Sequence, residues 1–168
     1  LADSANTAWV ERTWRRAAEE IAAGHRVYVV CPRIDASDTV ADAEEEDARS
    51  LASVEEVAAY LRSHPALAGL AIHELTGRTP TALKAQIMED FSAGRAPLLV
   101  ATTVIEVGVD VSEATLMVIL DAQQFGLAQL HQLRGRVGRS SLPSLCIAMH
   151  RHELTDAGRA RLQAFAGT

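Results

Sequence analysis

At 168 residues the chain is the size of one domain, long enough to bury roughly 70% of its unfolded surface and so to own a complete core. Its formal net charge of −6 excludes a diffuse polyanion glue, because contact with nucleic acid then has to come from a local patch. Basic residues are almost all arginine, with Lys84 the only lysine. Cys31 and Cys146 stand in separate apolar runs, "VYVVCP" and "SLCIAM", which excludes a metal or redox pair by spacing and predicts buried free thiols.

Short apolar runs alternate with amphipathic segments along the chain. A helix is expected over Trp9 to Ala23, then a strand over Arg26 to Cys31 ended by Pro32. The segment Asp35 to Arg49, "DASDTVADAEEEDAR", is acidic with few apolar anchors and reads as a solvated surface loop. A helix over Val54 to Ser63 is closed by Pro65 and followed by a strand over Gly69 to His73. A helix over Thr81 to Ala93 closed by Gly94 precedes a strand over Pro97 to Ala101. Beyond it come a strand at Thr115 to Leu120, a helix at Leu127 to Arg134, a strand at Ser144 to Met149 and a helix at Thr155 to Phe165. The strands are near-continuous Val, Ile, Leu and Ala, the pattern of strands buried on both faces. The expected class is therefore α/β with a mainly parallel sheet between helices. No apolar run approaches the ~18 residues of a membrane span, and the start has no signal-peptide pattern. The chain begins without methionine, so a piece of a longer protein is expected.

In an open α/β sheet ligands bind outside the carboxyl ends of the strands, so the residues just after each apolar run carry the chemistry. After Ala101, Thr102 and Thr103 offer hydroxyl and backbone donors to a nucleic-acid phosphate. Gly108 permits a turn that aims Asp110 back to the same edge, where a carboxylate accepts a ribose hydroxyl. Thr103 and Glu106 also match a capping box that starts a short helix. In "HELTGRTP", Arg78 reaches toward a backbone phosphate, or the turn is a plain helix entry. The stretch "QLHQLRGRVGR" places Arg134, Arg136 and Arg139 with Gly135 and Gly138 within six residues. Arg136 and Arg139 are three apart, so in a helical turn two guanidinium forks project to one side, the geometry suited to charge on a transferring phosphoryl group. The competing reading is a helix C-terminus capped by glycine and favoured by arginine. The phosphate-cradling G-x-x-x-x-G-K-[ST] loop is absent: Lys84 sits in "TALKAQ". Nor does G-x-G-x-x-G follow the first strand.

"LLVATTVIEVGVDVSEATLMVILDAQQFGLAQLHQLRGRVGRS" closely resembles motifs V and VI of superfamily 2 helicases, and specifically those of the RecG type. The resemblance runs from about Gly24 to the C-terminus, with the acidic loop the least comparable part. It implies a RecA-like three-layer αβα domain, the second of two motor domains. Residues 1–24 would lead from the first motor domain and 25–168 would form the helicase C-terminal domain. It implies that Arg136 and Arg139 are arginine fingers acting on ATP with Mg2+ bound mainly by the first motor domain of the same polypeptide. Gln132 and Gly135 would shape that motif, Gly108 and Asp110 would approach the ribose, and Arg78, Thr102 and Thr103 would hold the DNA backbone. No metal ligand is assigned.

The implied activity is an ATP-dependent helicase that remodels stalled forks and Holliday junctions in DNA repair and recombination. A monomer in the bacterial cytosol is expected, with the isolated chain inactive. The alternatives are the same domain of a transcription-repair coupling translocase and a non-catalytic RecA-like binding module. The family usually has histidine at Thr76 and methionine at Thr79. Its translocation motif follows the position at which this sequence stops, so coupling of hydrolysis to fork movement is expected to lie outside these residues.

Overall fold

The computed structural model describes residues 2–3, 7–33, 53–102, 114–135, 137, 144–150 and 156–167. In chain order these form β1 (Ala2–Asp3), α1 (Thr7–Ala22), β2 (Arg26–Val30), α2 (Val54–Ser63), a 3-10 turn (Pro65–Leu67), β3 (Ile72–Leu75) and α3 (Thr81–Ala93). Next come β4 (Leu98–Ala101), β5 (Ala114–Ile119), a second 3-10 turn (Ala122–Gln124), α4 (Leu127–Arg134), β6 (Leu145–His150) and α5 (Asp156–Ala166). The sheet has the order β1-β6-β5-β2-β4-β3. All its recorded pairings are parallel.

Alternate side chains of each central strand enter different cores, which is why the strands are apolar throughout. Tyr28, Val30, Leu99 and Ala101 face a core closed by Ile87 and Phe91 of α3, Leu130 and Leu133 of α4, and Leu162 and Phe165 of α5. Val27, Val29, Leu98 and Val100 face the opposite core, closed by Trp14 and Ala17 of α1 and by Val54, Ala58 and Leu61 of α2. Three layers result, as the alternating pattern predicts.

Helix boundaries have local causes. The Ser53 hydroxyl accepts the Glu56 N–H at 3.3 Å and so caps α2. Gly94 ends α3 in the left-handed region at φ 82, a corner that side chains resist. Arg26 then clamps that end, donating to the carbonyls of Phe91 and Ser92 at 3.1 Å each and to that of Gly24. A Cβ on Gly94 would stand 3.0 Å from the Arg26 guanidinium, so glycine serves both the turn and the clamp.

The strand expected at Gly69 to His73 lies instead at Ile72–Leu75. Pro65 opens a 3-10 turn after α2, and Gly69 takes φ +81. The chain becomes extended only beyond that corner, about one turn later than apolar content alone suggests. The strand β1, Ala2–Asp3, was not expected; the remaining strands and α-helices lie within two residues of their expected bounds. The acidic segment 35–49 lies outside the described residues.

Sheet order reverses between β2 and β5. From β2 the chain moves to one side through β3 and β4, then crosses to β5 on the other. Their carboxyl ends remain bonded, with Leu120 N–H donating to the Val30 carbonyl at 2.9 Å. This is the position at which such sheets open a ligand crevice.

Candidate nucleic-acid and nucleotide interface

Leu75 pairs with Ala101 at the carboxyl ends of β3 and β4, so the next residues, Thr76 and Thr102, emerge side by side. The Thr102 N–H donates to the Leu75 carbonyl at 3.3 Å. Thr102 is only 7% exposed, and its hydroxyl has no hydrogen-bond partner among the described residues. Leaving a buried hydroxyl unsatisfied costs about 1–3 kcal/mol, so this group is one for which a partner beyond the described residues matters.

The adjoining turn is built by hydroxyls. Thr76 N–H donates to Thr79 Oγ1, Arg78 N–H donates to Thr76 Oγ1, and Thr79 N–H donates to the Thr76 carbonyl, each at 3.1 Å. Methionine, which the resemblance leads one to expect at 79, offers only a weak sulfur acceptor in place of Thr79 Oγ1, whereas a histidine at 76 could still accept the Arg78 N–H, as His64 Nδ1 accepts the Ala66 N–H at 3.1 Å. Arg78 is thereby held exposed beside a depression of about 360 Å³ lined by Val54, Glu55, Glu74, Thr76, Arg78 and Thr79. Its charges are mixed: Arg62 binds Glu74 at 3.0 Å, and the N-terminus of α2 contributes a partial positive end.

At the other side of the sheet, α4 carries the arginine-rich stretch. Leu130 and Leu133 are fully buried, while Leu127 at the start of the helix is 36% exposed. Gln129 Oε1 accepts the Gly126 N–H at 3.0 Å, which satisfies one of the helix's starting donors. Arg134 separates from its neighbours in role: it donates to the Phe165 carbonyl at 2.9 Å and stacks its guanidinium 4.6 Å over the Phe165 ring. It is a clamp between α4 and α5. Gln132 and Gly135 are exposed at the helix end. Gly135 has φ −64, so it does not supply a left-handed cap; its N–H donates to the His131 carbonyl at 3.1 Å. A Cβ there would stand 3.4 Å from the Gln132 carbonyl, a close but tolerable approach.

The structure thus places Thr102 beside Thr76 at the carboxyl edge, with Arg78 in the turn that Thr76 opens, and places Gln132 and Gly135 at the end of α4. Thr103, Gly108, Asp110, Arg136 and Arg139 lie outside the described residues, as does the Thr103–Glu106 capping pair. Sequence reasoning missed Asp121, which follows β5 at the sheet reversal and is 6% exposed. Its only signal was an acidic residue directly after an apolar run. Neither cysteine is activated. Burial, reinforced by the charge of Asp121, pushes the Cys31 thiol far up, and burial pushes Cys146 up to about 12. Among the described residues no helix is long and apolar enough to cross a membrane.

The helicase conserved C-terminal domain family matches residues 12–141. The chain belongs to this family. This helicase domain is 48% identical over 163 residues to the ATP-dependent DNA helicase RecG of Mycobacterium tuberculosis, which covers 96% of the domain and 21% of that protein. It is 39% identical to RecG of Aquifex aeolicus, covering 94% of the domain and 19% of the relative. A RecG structure bound to a three-way DNA junction superposes with a TM-score of 0.71 at 31% identity, over 93% of this domain and 18% of that chain. The C-terminal domain of the DEAD-box protein Dbp5 superposes with a TM-score of 0.57 at 18% identity, over 92% and 77%, a likeness of fold alone. The fold is RecA-like. The helicase domain spans about a fifth of the length of the curated RecG relatives it matches.

Proposed function

We propose that this chain is the second motor domain of an ATP-dependent helicase of the RecG type, acting on branched DNA such as stalled forks and Holliday junctions. The observation that carries the reading is the 48% identity to RecG helicases over 96% of the chain, with "ATTVIEVGVDV" and "QLRGRVGR" inside the matched stretch. Because the chain has no phosphate-cradling loop, it forms one wall of a nucleotide site completed by a first motor domain of the same polypeptide. ATP with Mg2+ supplies the phosphoanhydride whose cleavage drives the motor. On this side of the cleft Arg136 and Arg139 stabilise charge on the transferring phosphoryl group, Asp110 and Gly108 meet the ribose, and Gln132 and Gly135 shape the arginine-bearing turn. Thr102, Thr103 and Arg78 hold the DNA backbone, and the unpartnered Thr102 hydroxyl supports that role by lacking any other partner among the described residues.

The test uses the longer protein that contains this chain. ATP hydrolysis stimulated by three-way junctions well beyond the level with linear duplex, together with junction unwinding, supports the reading. Hydrolysis indifferent to branched DNA but dependent on a stalled RNA polymerase favours the coupling translocase, and no hydrolysis at all favours the binding module.

A further inference from the structure

Asp121 combines features that nothing in the arginine-finger scheme uses. It stands two residues past the end of β5, where the sheet order reverses against β2. Among the described residues it is the only non-glycine at positive φ, with φ 48 and ψ 49. A left-handed residue bearing a Cβ costs about 1–2 kcal/mol, and such strain persists only where its surroundings hold it. Those surroundings are visible. The Asp121 carbonyl accepts the Gln124 N–H at 3.0 Å, which starts the Ala122–Gln124 turn, and its carboxylate accepts Gln123 Nε2 at 3.4 Å. Ala122 and Phe125 are buried, and Arg161 donates to the Phe125 carbonyl at 3.2 Å. This short, anchored link joins the corner at Asp121 to the start of α4 at Leu127.

We propose that Asp121 is a positioning residue whose left-handed corner sets the angle at which α4 leaves the sheet, an angle on which the arginine-finger role proposed above for Arg136 and Arg139 depends. The proposal rests on the motor reading above. Eight helical residues span about 12 Å, so a 10° error at the corner displaces the far end by about 2 Å. Misplacements of about 1 Å at a reacting centre cost on the order of a hundredfold in rate. Aspartate, asparagine and glycine accept the left-handed region, whereas β-branched residues resist it.

The test compares Asp121→Val, Asp121→Asn, Asp121→Gly and Arg139→Ala in the longer protein. Junction-stimulated kcat and KM for ATP are measured, with thermal unfolding of each preparation. Asp121→Val is expected to lower kcat at least about tenfold with KM within about threefold, while the asparagine and glycine variants keep at least half of the wild-type kcat. Should the valine variant not fold, Asp121→Ala supplies the same comparison, because alanine opposes the corner less strongly. Wild-type kcat in a folded valine or alanine variant overturns the proposal. So do asparagine and glycine variants as slow as valine, since the carboxylate and not the corner would then matter. If Arg139→Ala collapses turnover while Asp121→Val does not, only the positioning role falls; if Arg139→Ala is also harmless, the motor reading falls with it.

Discussion

The Thr102 N–H binds the Leu75 carbonyl at 3.3 Å, tying the ends of β4 and β3 together while the Thr102 hydroxyl stays buried with no partner among the described residues. The backbone of Thr102 therefore belongs to the fold, while its hydroxyl contributes no bond to it among the described residues.

Thr102→Val separates these two roles because it keeps the shape and removes only the hydroxyl. Stability to urea should change by less than about 1 kcal/mol, or rise, since an unsatisfied group is lost. Junction affinity of the longer protein should fall about fivefold, the value of one neutral hydrogen bond of about 1 kcal/mol. A large loss of stability with unchanged affinity would make Thr102 a core residue only.

Arg134→Ala should weaken the domain by about 1.5–3 kcal/mol, from the loss of its charged hydrogen bond to the Phe165 carbonyl and its stacking on that ring. Denaturant titration of the isolated chain reads this directly. Arg134→Lys should recover only part of the loss, since an ammonium cannot stack as a planar fork does.

Much of this was legible in the sequence, for identifiable reasons. Strands buried on both faces announce themselves as continuous apolar runs, and α2 and α3 coincide with their expected spans because Pro65 and Gly94 punctuate them; α4 coincides as well, although Gly135 keeps a helical backbone. The late start of β3 was not legible, because Leu70 and Ala71 are apolar yet belong to the exit from a corner at Gly69. Within the candidate site, the edge positions of Arg78 and Thr102 follow from where apolar runs end. The distinct duty of Arg134 does not, because its partner Phe165 lies 31 residues away. The left-handed corner at Asp121 was invisible for a similar reason: aspartate permits that conformation but does not require it.

Acid should loosen the junction of α1 with the sheet. Glu20 is nearly buried; burial opposes its charge, but hydrogen bonds from His25 at 2.6 Å and Thr115 at 2.7 Å, with Arg16 at 2.9 Å, outweigh it and hold the carboxyl below its ordinary value. A lowered folded pKa gives stability that is complete above the ordinary value of 4.5 and is lost as pH falls through the lowered one. Glu20→Gln should therefore cost about 1.5–3 kcal/mol at pH 7, and its deficit relative to wild type should shrink as pH falls below the ordinary value of 4.5. Urea titrations of both proteins across that range check it; a deficit that grows on acidification would reverse the assigned sign.

The isolated chain should fold yet hydrolyse no ATP, with or without branched DNA, because it lacks the loop that cradles the phosphates. A coupled phosphate-release assay with junction DNA decides this, and measurable DNA-stimulated turnover by the chain alone would show a nucleotide site complete within these 168 residues.

The central claim is that the arginine-rich stretch serves a transferring phosphoryl group, and steady-state ATP turnover of the longer protein carrying Arg139→Ala tests it most directly. The account predicts a loss of roughly a thousandfold or more, with junction affinity within a fewfold of wild type, since the guanidinium acts mainly on charge that develops in the transition state. Arg139→Ala with near-normal turnover and a loss of at most about 1 kcal/mol in stability would contradict it, leaving the arginine as a helix-end cap.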